Sequence, residues 1–174
     1  MRMTPDVFDM RYPVPIVLLL SLILAGCNTG GPEPASDDGP PSCRVRTVID
    51  GDSILAECNG QRRQVRLYCI DAPEIKQRPW GEESRRALAR LLRRNDRITL
   101  LIHDVDRYGR QVAEVIHDGM NANLEMVRSG NAAVYRHFCR LDAFYAAEKS
   151  ARQARRGVWE KEGLHQAPWR WRHR

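Results

Sequence analysis

Ile49-Asp50-Gly51-Asp52-Ser53-Ile54-Leu55-Ala56-Glu57-Cys58-Asn59-Gly60 is a short apolar run closed at each end by a glycine turn, and its reading decides the fold. Asp50-Gly51 and Asn59-Gly60 are turn and hairpin signals, so the run between them, residues 53–57, is the middle strand of a meander. Upstream, residues 44–49 alternate valine with polar residues and form the first strand; downstream, residues 62–70 form the third. Cys43 and Cys58 lie symmetrically about the first turn, so antiparallel pairing makes them face each other and bond. Cys69 and Cys139 are left as the second pair.

The third strand runs out into Ile70-Asp71-Ala72-Pro73-Glu74. Proline stops ladder pairing and turns the chain, so Asp71 and Glu74 emerge at a mouth, downstream of Arg66. The acids of the first turn meet them at the same edge. An arginine forks onto a phosphate, while two acids hold a hard cation or position a water. For this stretch alone, a surface ion pair closing a strand is the plainer reading.

After Pro73 the order is a basic loop at 76–81, a helix over 82–94 with Ala87, Leu88, Leu91 and Leu92 as its apolar stripe, and strands at 97–102 and 111–117. A helix over 121–129 stopped by Gly130, an extended segment at 132–135 and a helix over 141–156 stopped by Gly157 complete it. Five short strands with a helix inserted after the third specify an α+β, mainly β fold: a five-stranded OB-fold-like barrel with about three helices.

The 174 residues have room for one domain and extra material at the ends, and the net charge of +6, despite 22 acids, favours an anionic partner. Nucleic acid and an anionic lipid surface both qualify. Residues 16–25 are an apolar run too short for a comfortable permanent span, and read as an address. The run ends Leu24-Ala25-Gly26-Cys27, which resembles the lipobox of bacterial lipoproteins and implies cleavage before Cys27 and acylation of its thiol; an ordinary secretory signal is the alternative. Arg2 and Arg11 are offset by Asp6 and Asp9, which fits a translation start at Met10. The expected organisation is a signal peptide at 1–26, an acylated cysteine and flexible tether at 27–42 reaching roughly 20 Å, the domain at 43–160 and a basic aromatic tail at 161–174. The four remaining cysteines then lie where disulfides persist. Nothing in the cysteine and histidine spacing points to zinc.

Three segments bear on the chemistry. Asp50-Gly51-Asp52 fails as an EF-hand, since Leu55 stands at the required glycine and Gln61 at the closing glutamate. In Asp104-Val105-Asp106-Arg107-Tyr108-Gly109-Arg110, Gly109 lets the chain bend and aim Arg110, beside Arg107 and Tyr108. The tail Pro168-Trp169-Arg170-Trp171-Arg172 interleaves aromatics and cations, which suits base stacking with phosphate contact, a lipid headgroup layer, or tryptophans packed on the barrel with solvated arginines.

Taken together, Ile49-Asp50-Gly51-Asp52, Arg66-Leu67 through Ile70-Asp71-Ala72-Pro73-Glu74, and Asp106-Arg107-Tyr108-Gly109-Arg110 resemble, in order and spacing, the signature of the staphylococcal nuclease (thermonuclease) family; Gly157-Val158-Trp159 matches its usual close. The resemblance covers about residues 44–159. It implies that Asp52, Asp71 and the backbone carbonyl of Ala72 ligate Ca²⁺, with Asp50 close behind them. Glu74 matches the carboxylate that activates or orients water, and Arg66 and Arg110 match the two arginines that grip the scissile phosphate. Arg107 and Tyr108 resemble the pair near a terminal phosphate, and Tyr135 a pocket tyrosine. The implied activity is calcium-dependent, sugar-nonspecific hydrolysis of phosphodiester bonds of DNA and RNA to 3′-phosphate ends. With the lipid anchor at Cys27, the expected location is the bacterial cell envelope, periplasmic or cell-surface, with no protein partner. The alternative is a catalytically inactive nucleic-acid-binding envelope lipoprotein of the same fold, although none of the expected acids or arginines is missing. A lipoprotein whose basic tail contacts lipid explains the anchor and tail but not the acids and arginines.

Overall fold

The computed structural model describes residues 42–173. In chain order the elements are β1 (Ser42–Val48), β2 (Ser53–Cys58), β3 (Gln61–Leu67), β4 (Ile70–Asp71), α1 (Trp80–Leu91), β5 (Arg97–Val105), β6 (Gln111–His117), β7 (Met120–Asn121), α2 (Ala122–Arg128), β8 (Ala133–Val134), α3 (Asp142–Gln153) and α4 (Pro168–Trp171). One-turn 3-10 helices at Gly157–Trp159 and Leu164–Gln166 lead into the last of these.

The meander forms as the two turns dictate. β2 pairs antiparallel with β1 and β3, in registers that include Val45↔Ala56 and Ile54↔Val65. β5 pairs with the other edge of β1, and β6 with β5. A parallel pairing of β3 with β6, from Val65↔Gln111 to Leu67↔Ala113, closes β1, β2, β3, β5 and β6 into the expected five-stranded barrel. Closure removes the free edges that an open meander leaves. Val45, Ile54, Val65, Leu67, Ile98, Leu100 and Val115 fill the interior, the inward half of each strand's alternation. Leu88 and Leu92 on and beside α1, Met126 on α2 and Phe144 on α3 extend the same core beyond the barrel.

Both disulfides form as paired from the sequence. Cys43–Cys58 joins directly opposed residues of β1 and β2, with Cα atoms 4.3 Å apart, and Cys69–Cys139 joins residues 70 positions apart.

Several boundaries differ from the sequence reading; α3, for one, ends at Gln153 and not at 156. The third strand does not run unbroken to Ile70: β3 ends at Leu67, Cys69 adopts φ +70°, and Ile70–Asp71 pairs with Ala133–Val134 instead. The break is held from a distance. The buried Asn123 amide donates to the carbonyls of Tyr68 and Ala113 while its oxygen accepts the Val115 N–H, and Cys69 is bonded to Cys139. The first helix spans Trp80–Leu91, not 82–94, and β5 continues three residues past Ile102 because β6 pairs with it as far as Val105↔Gln111. The expected signal segment, Cys27 and the tether lie outside the described residues.

Candidate active site

The site begins at the β1–β2 turn. Asp52 is buried there, and its backbone carbonyl accepts the Leu67 N–H at 2.8 Å, so the turn is tied to the end of β3. Its side chain reaches the other way: Oδ2 accepts the Ala72 N–H at 2.9 Å, and Oδ1 accepts from Ser53 Oγ and Arg66, each at 3.1 Å. Asp50 folds back to accept the Asp52 N–H at 3.0 Å, a local Asx contact that fixes the turn. Gly51 is required by proximity. A Cβ built on it would lie 2.6 Å from the Cβ atoms of both Ala72 and Ser84.

Asp71 arrives from β4 with its side chain fully buried, and Oδ1 accepts from Arg66 at 2.7 Å. Ser53 and Arg66 are direct partners across β2 and β3, which places the guanidinium between Asp52 and Asp71. Pro73 then turns the chain, and Glu74 begins a turn in which its N–H donates to Gln77 Oε1 and its carbonyl accepts the Gln77 N–H. The Glu74 side chain stays about a third exposed (34%).

Burial dominates the electrostatics. It pushes Asp71 up to about 6, with the neighbouring Asp52 charge adding to the effect against the pull of Arg66 and Arg172. Asp50 is also pushed up to about 6, by burial first and Asp52 second. Burial opposes the Arg66 charge, but Asp52 and Asp71 outweigh it and hold the guanidinium protonated more firmly than usual.

The structure therefore brings together Asp50, Asp52, Arg66, Asp71, Ala72 and, at the rim, Glu74. It treats the other sequence candidates differently. Arg110 lies just before β6, two register positions from the Arg66 partner Val112, but its guanidinium is held by Asp106 within its own turn, Nε to Oδ2 at 2.7 Å. Backbone and side-chain bonds from Arg110, and a backbone bond from Tyr108, pull Asp106 below the usual carboxylate range although burial acts the other way. Arg107 stacks over the exposed Tyr108 ring at 4.8 Å and donates to its hydroxyl. Tyr135 packs against Phe138 and Trp169, with ring centroids 5.4 and 5.7 Å away, and its N–H donates to the Cys69 carbonyl.

One residue at the site was not among the sequence candidates. Arg172 Nη2 donates to Asp71 Oδ2 at 2.8 Å and Oδ1 at 3.0 Å, and Nη1 donates to Glu74 Oε1 at 2.6 Å. Of the tail readings, tryptophan packing is borne out by Trp169, but this arginine is not left to solvent. The available signal was spacing: Trp169 and Arg172 are three apart, on one face of a helical turn.

Among the described residues no three His, Cys, Asp or Glu side chains converge as a ready metal cage. The donor chemistry nonetheless fits a hard cation. It consists of carboxylate oxygens and a carbonyl, two of the acids are buried, and the Arg172 guanidinium occupies the carboxylate face as a stand-in positive charge.

Residues 64–161 match the family model described as staphylococcal nuclease homologue. An uncharacterized endonuclease of Escherichia coli O157:H7 is 38% identical over 132 residues, covering 75% of this chain and 84% of the relative. A micrococcal nuclease of Shigella flexneri is 38% identical over 139 residues, covering 74% of this chain and 78% of its own length. An uncharacterized endonuclease of Haemophilus influenzae is 32% identical over 131 residues, covering 74% and 72%.

Proposed function

The chain belongs to the staphylococcal nuclease family, and from that premise we propose that it is a calcium-dependent, sugar-nonspecific nuclease, cutting DNA and RNA to 3′-phosphate ends while anchored to the cell envelope. The observation that carries the catalytic half is the Arg66 fork, bonded at once to Asp52 and Asp71 in the barrel mouth, with Glu74 at the rim joined to Asp71 through Arg172. The anchor rests on Leu24-Ala25-Gly26-Cys27, and mass spectrometry of the mature protein tests it: an unmodified N-terminus upstream of Cys27 removes it.

Each side chain has a task that its surroundings support. Arg66 has five N–H donors, of which two bonds go to acids, so donors remain to grip a phosphate oxygen and take up charge as phosphorus becomes five-coordinate. Its charge is secure because the paired acids hold the proton on. Asp52, Asp71 and the Ala72 carbonyl are the oxygens that would hold calcium, with Asp50 bracing the turn. When bound, the cation supplies Lewis acidity and a template for phosphate and water. Glu74, on the open side, receives the proton of the attacking water. Arg110 swings from Asp106 toward the phosphate as the second cationic grip, while Arg107, Tyr108 and Tyr135 offer further phosphate and base contacts.

Hydrolysis of labelled DNA and RNA with and without chelator tests the reading. Chelation abolishes activity and Ca²⁺ restores it; restoration by Mg²⁺ or Zn²⁺ alone refutes the calcium assignment. Arg66→Lys and Glu74→Gln each lose roughly 3 kcal/mol of transition-state stabilisation, about two orders of magnitude in kcat/KM. Wild-type turnover in either refutes that residue's role.

A further inference from the structure

The C-terminal segment reaches the barrel mouth through three separate contacts. His165 stacks on Trp80 at the start of α1, ring centroids 4.5 Å apart and planes 17° from parallel. Trp169 packs on Tyr135. Arg172 then bonds Asp71 and Glu74 with all three distances at or below 3.0 Å. Pro168 between them is buried, and a groove of about 590 Å³ lined by Glu74, Ile75, Lys76, Trp171 and Arg172 runs alongside.

The Arg172 position is hard to reconcile with a passive strap. Asp50, Asp52, Asp71 and Glu74 are four carboxylates served by two guanidinium groups, Arg66 and Arg172, so a formal deficit of two positive charges remains. Arg172 covers both oxygens of Asp71, one of which also accepts from Arg66. The Asp52 oxygens are taken by Arg66, Ser53 and the Ala72 N–H. A calcium ion needs oxygens at about 2.3–2.6 Å, and it cannot approach Asp71 on the face where a guanidinium nitrogen already sits at 2.8 Å. A cation on the same oxygens would be a near neighbour of the guanidinium, and like charges that close repel strongly in a half-buried site.

We propose that the C-terminal segment is a latch on the cation site, in which Arg172 and a divalent cation compete for Asp71 and Glu74. The proposal rests on the cation-site reading above. Arg172 offsets part of the charge of Asp71 and Glu74 until a cation binds and leaves them when it does, which loosens the Trp169 contact and bares the Tyr135 ring. Opening of the nucleic-acid face is thereby coupled to metal loading. Reciprocity requires that whatever holds the tail down weakens cation binding by the same factor.

Calorimetric titration of Ca²⁺ into the full chain, without nucleic acid, tests it. Arg172→Gln tightens Ca²⁺ binding about tenfold or more, the worth of one charge-assisted hydrogen bond, and Arg172→Lys falls between it and the parent. Unchanged or weaker binding in a folded Arg172→Gln overturns the latch. Asp71→Asn loses binding in both backgrounds; if it binds Ca²⁺ as the parent does, the cation-site reading fails instead. Hydrogen exchange of residues 164–173 gives a second readout that a merely structural tail would not move: exchange rises on adding Ca²⁺ to the parent, and no change overturns the proposal. Thermal melts guard against misfolding. Arg172→Gln is destabilised in chelator and recovers in Ca²⁺, whereas equal losses in both conditions mark a strap and overturn the latch.

Discussion

Gly51→Ala places one methyl group where the β1–β2 turn meets Ala72 and α1. The new Cβ lies 2.6 Å from two other Cβ atoms, Ala72 and Ser84, and ordinary contact begins near 3.4 Å, so the turn must retreat by about 0.8 Å. Neither neighbour has a flexible end to swing aside. Over-packing of this kind costs about 1–3 kcal/mol, and the entropy an alanine removes from the unfolded chain returns about 0.4–1, so the net loss is roughly 1–2 kcal/mol in a urea melt. The effect on activity is larger. The retreat stretches the 2.9 Å bond from Ala72 N–H to Asp52 and moves Asp50 and Asp52 away from Asp71. A displacement near 1 Å costs on the order of 10²-fold in rate. Gly60→Ala is the control. Gly60 has φ +77° and open space where the methyl would go, with nothing within 4 Å, so strain alone costs about 1–2 kcal/mol there while the rate stays at the parent value. Hydrolysis is measured where circular dichroism shows both variants folded. A Gly51→Ala protein with parental melt and rate refutes the close-approach reasoning, and equal rate losses in both variants refute the link to site geometry.

Stability should depend on pH through Asp50 and Asp71. Their folded pKa values near 6 exceed the unfolded value near 4, so the native state binds more protons in that window and metal-free stability falls as pH rises from about 4 to 6. Ca²⁺ stabilisation grows over the same interval because protons and cation compete for Asp71; a flat melting temperature in chelator refutes this. Removing the Cys69–Cys139 bridge opens a 70-residue separation and costs about 4 kcal/mol, against about 3 for Cys43–Cys58 across 15 residues. Paired serine variants in urea check the order. Glu148→Ala strands the buried Val134 N–H and releases the exposed Arg136 guanidinium to water, at about 1–3 kcal/mol, and lowers activity further because Val134 pairs with Ile70 beside Asp71; a melt that falls without a rate loss separates β8 from the site.

The parts of the fold legible in the sequence are those fixed by neighbours along the chain. Asp50-Gly51 and Asn59-Gly60 set the registers of β1, β2 and β3, and those registers oppose Cys43 to Cys58 and Ser53 to Arg66. From that point the meeting of Asp52, Arg66 and Asp71 follows, since the turn and the strand end share one edge. The break after Leu67 was hidden for the opposite reason. Residues 62–70 read as continuous because their pattern is extended throughout, and what interrupts them, Asn123 and Cys139, lies more than 50 residues away. Arg110 was legible as a residue but not as a conformation, because Asp106 four positions earlier offers its guanidinium a nearer partner than the acids of the mouth.

Arg172 shows why composition misleads at a chain end. Alternating cations and aromatics suggest a solvated, adhesive tail, and charge counting alone assigns its arginines to an outside partner. The relevant partner is inside. Burying Asp71 beside Asp52 creates a demand for positive charge that Arg66 meets only in part, and the second guanidinium that adds to it belongs to a tail already pinned by Trp80 and Tyr135. A site built to bind a divalent ion must be neutralised by something before the ion arrives, or its acids must take up protons. In this chain the C-terminal turn supplies part of such a charge through Arg172, so a tail that looks dispensable in sequence reaches the acids of the barrel mouth.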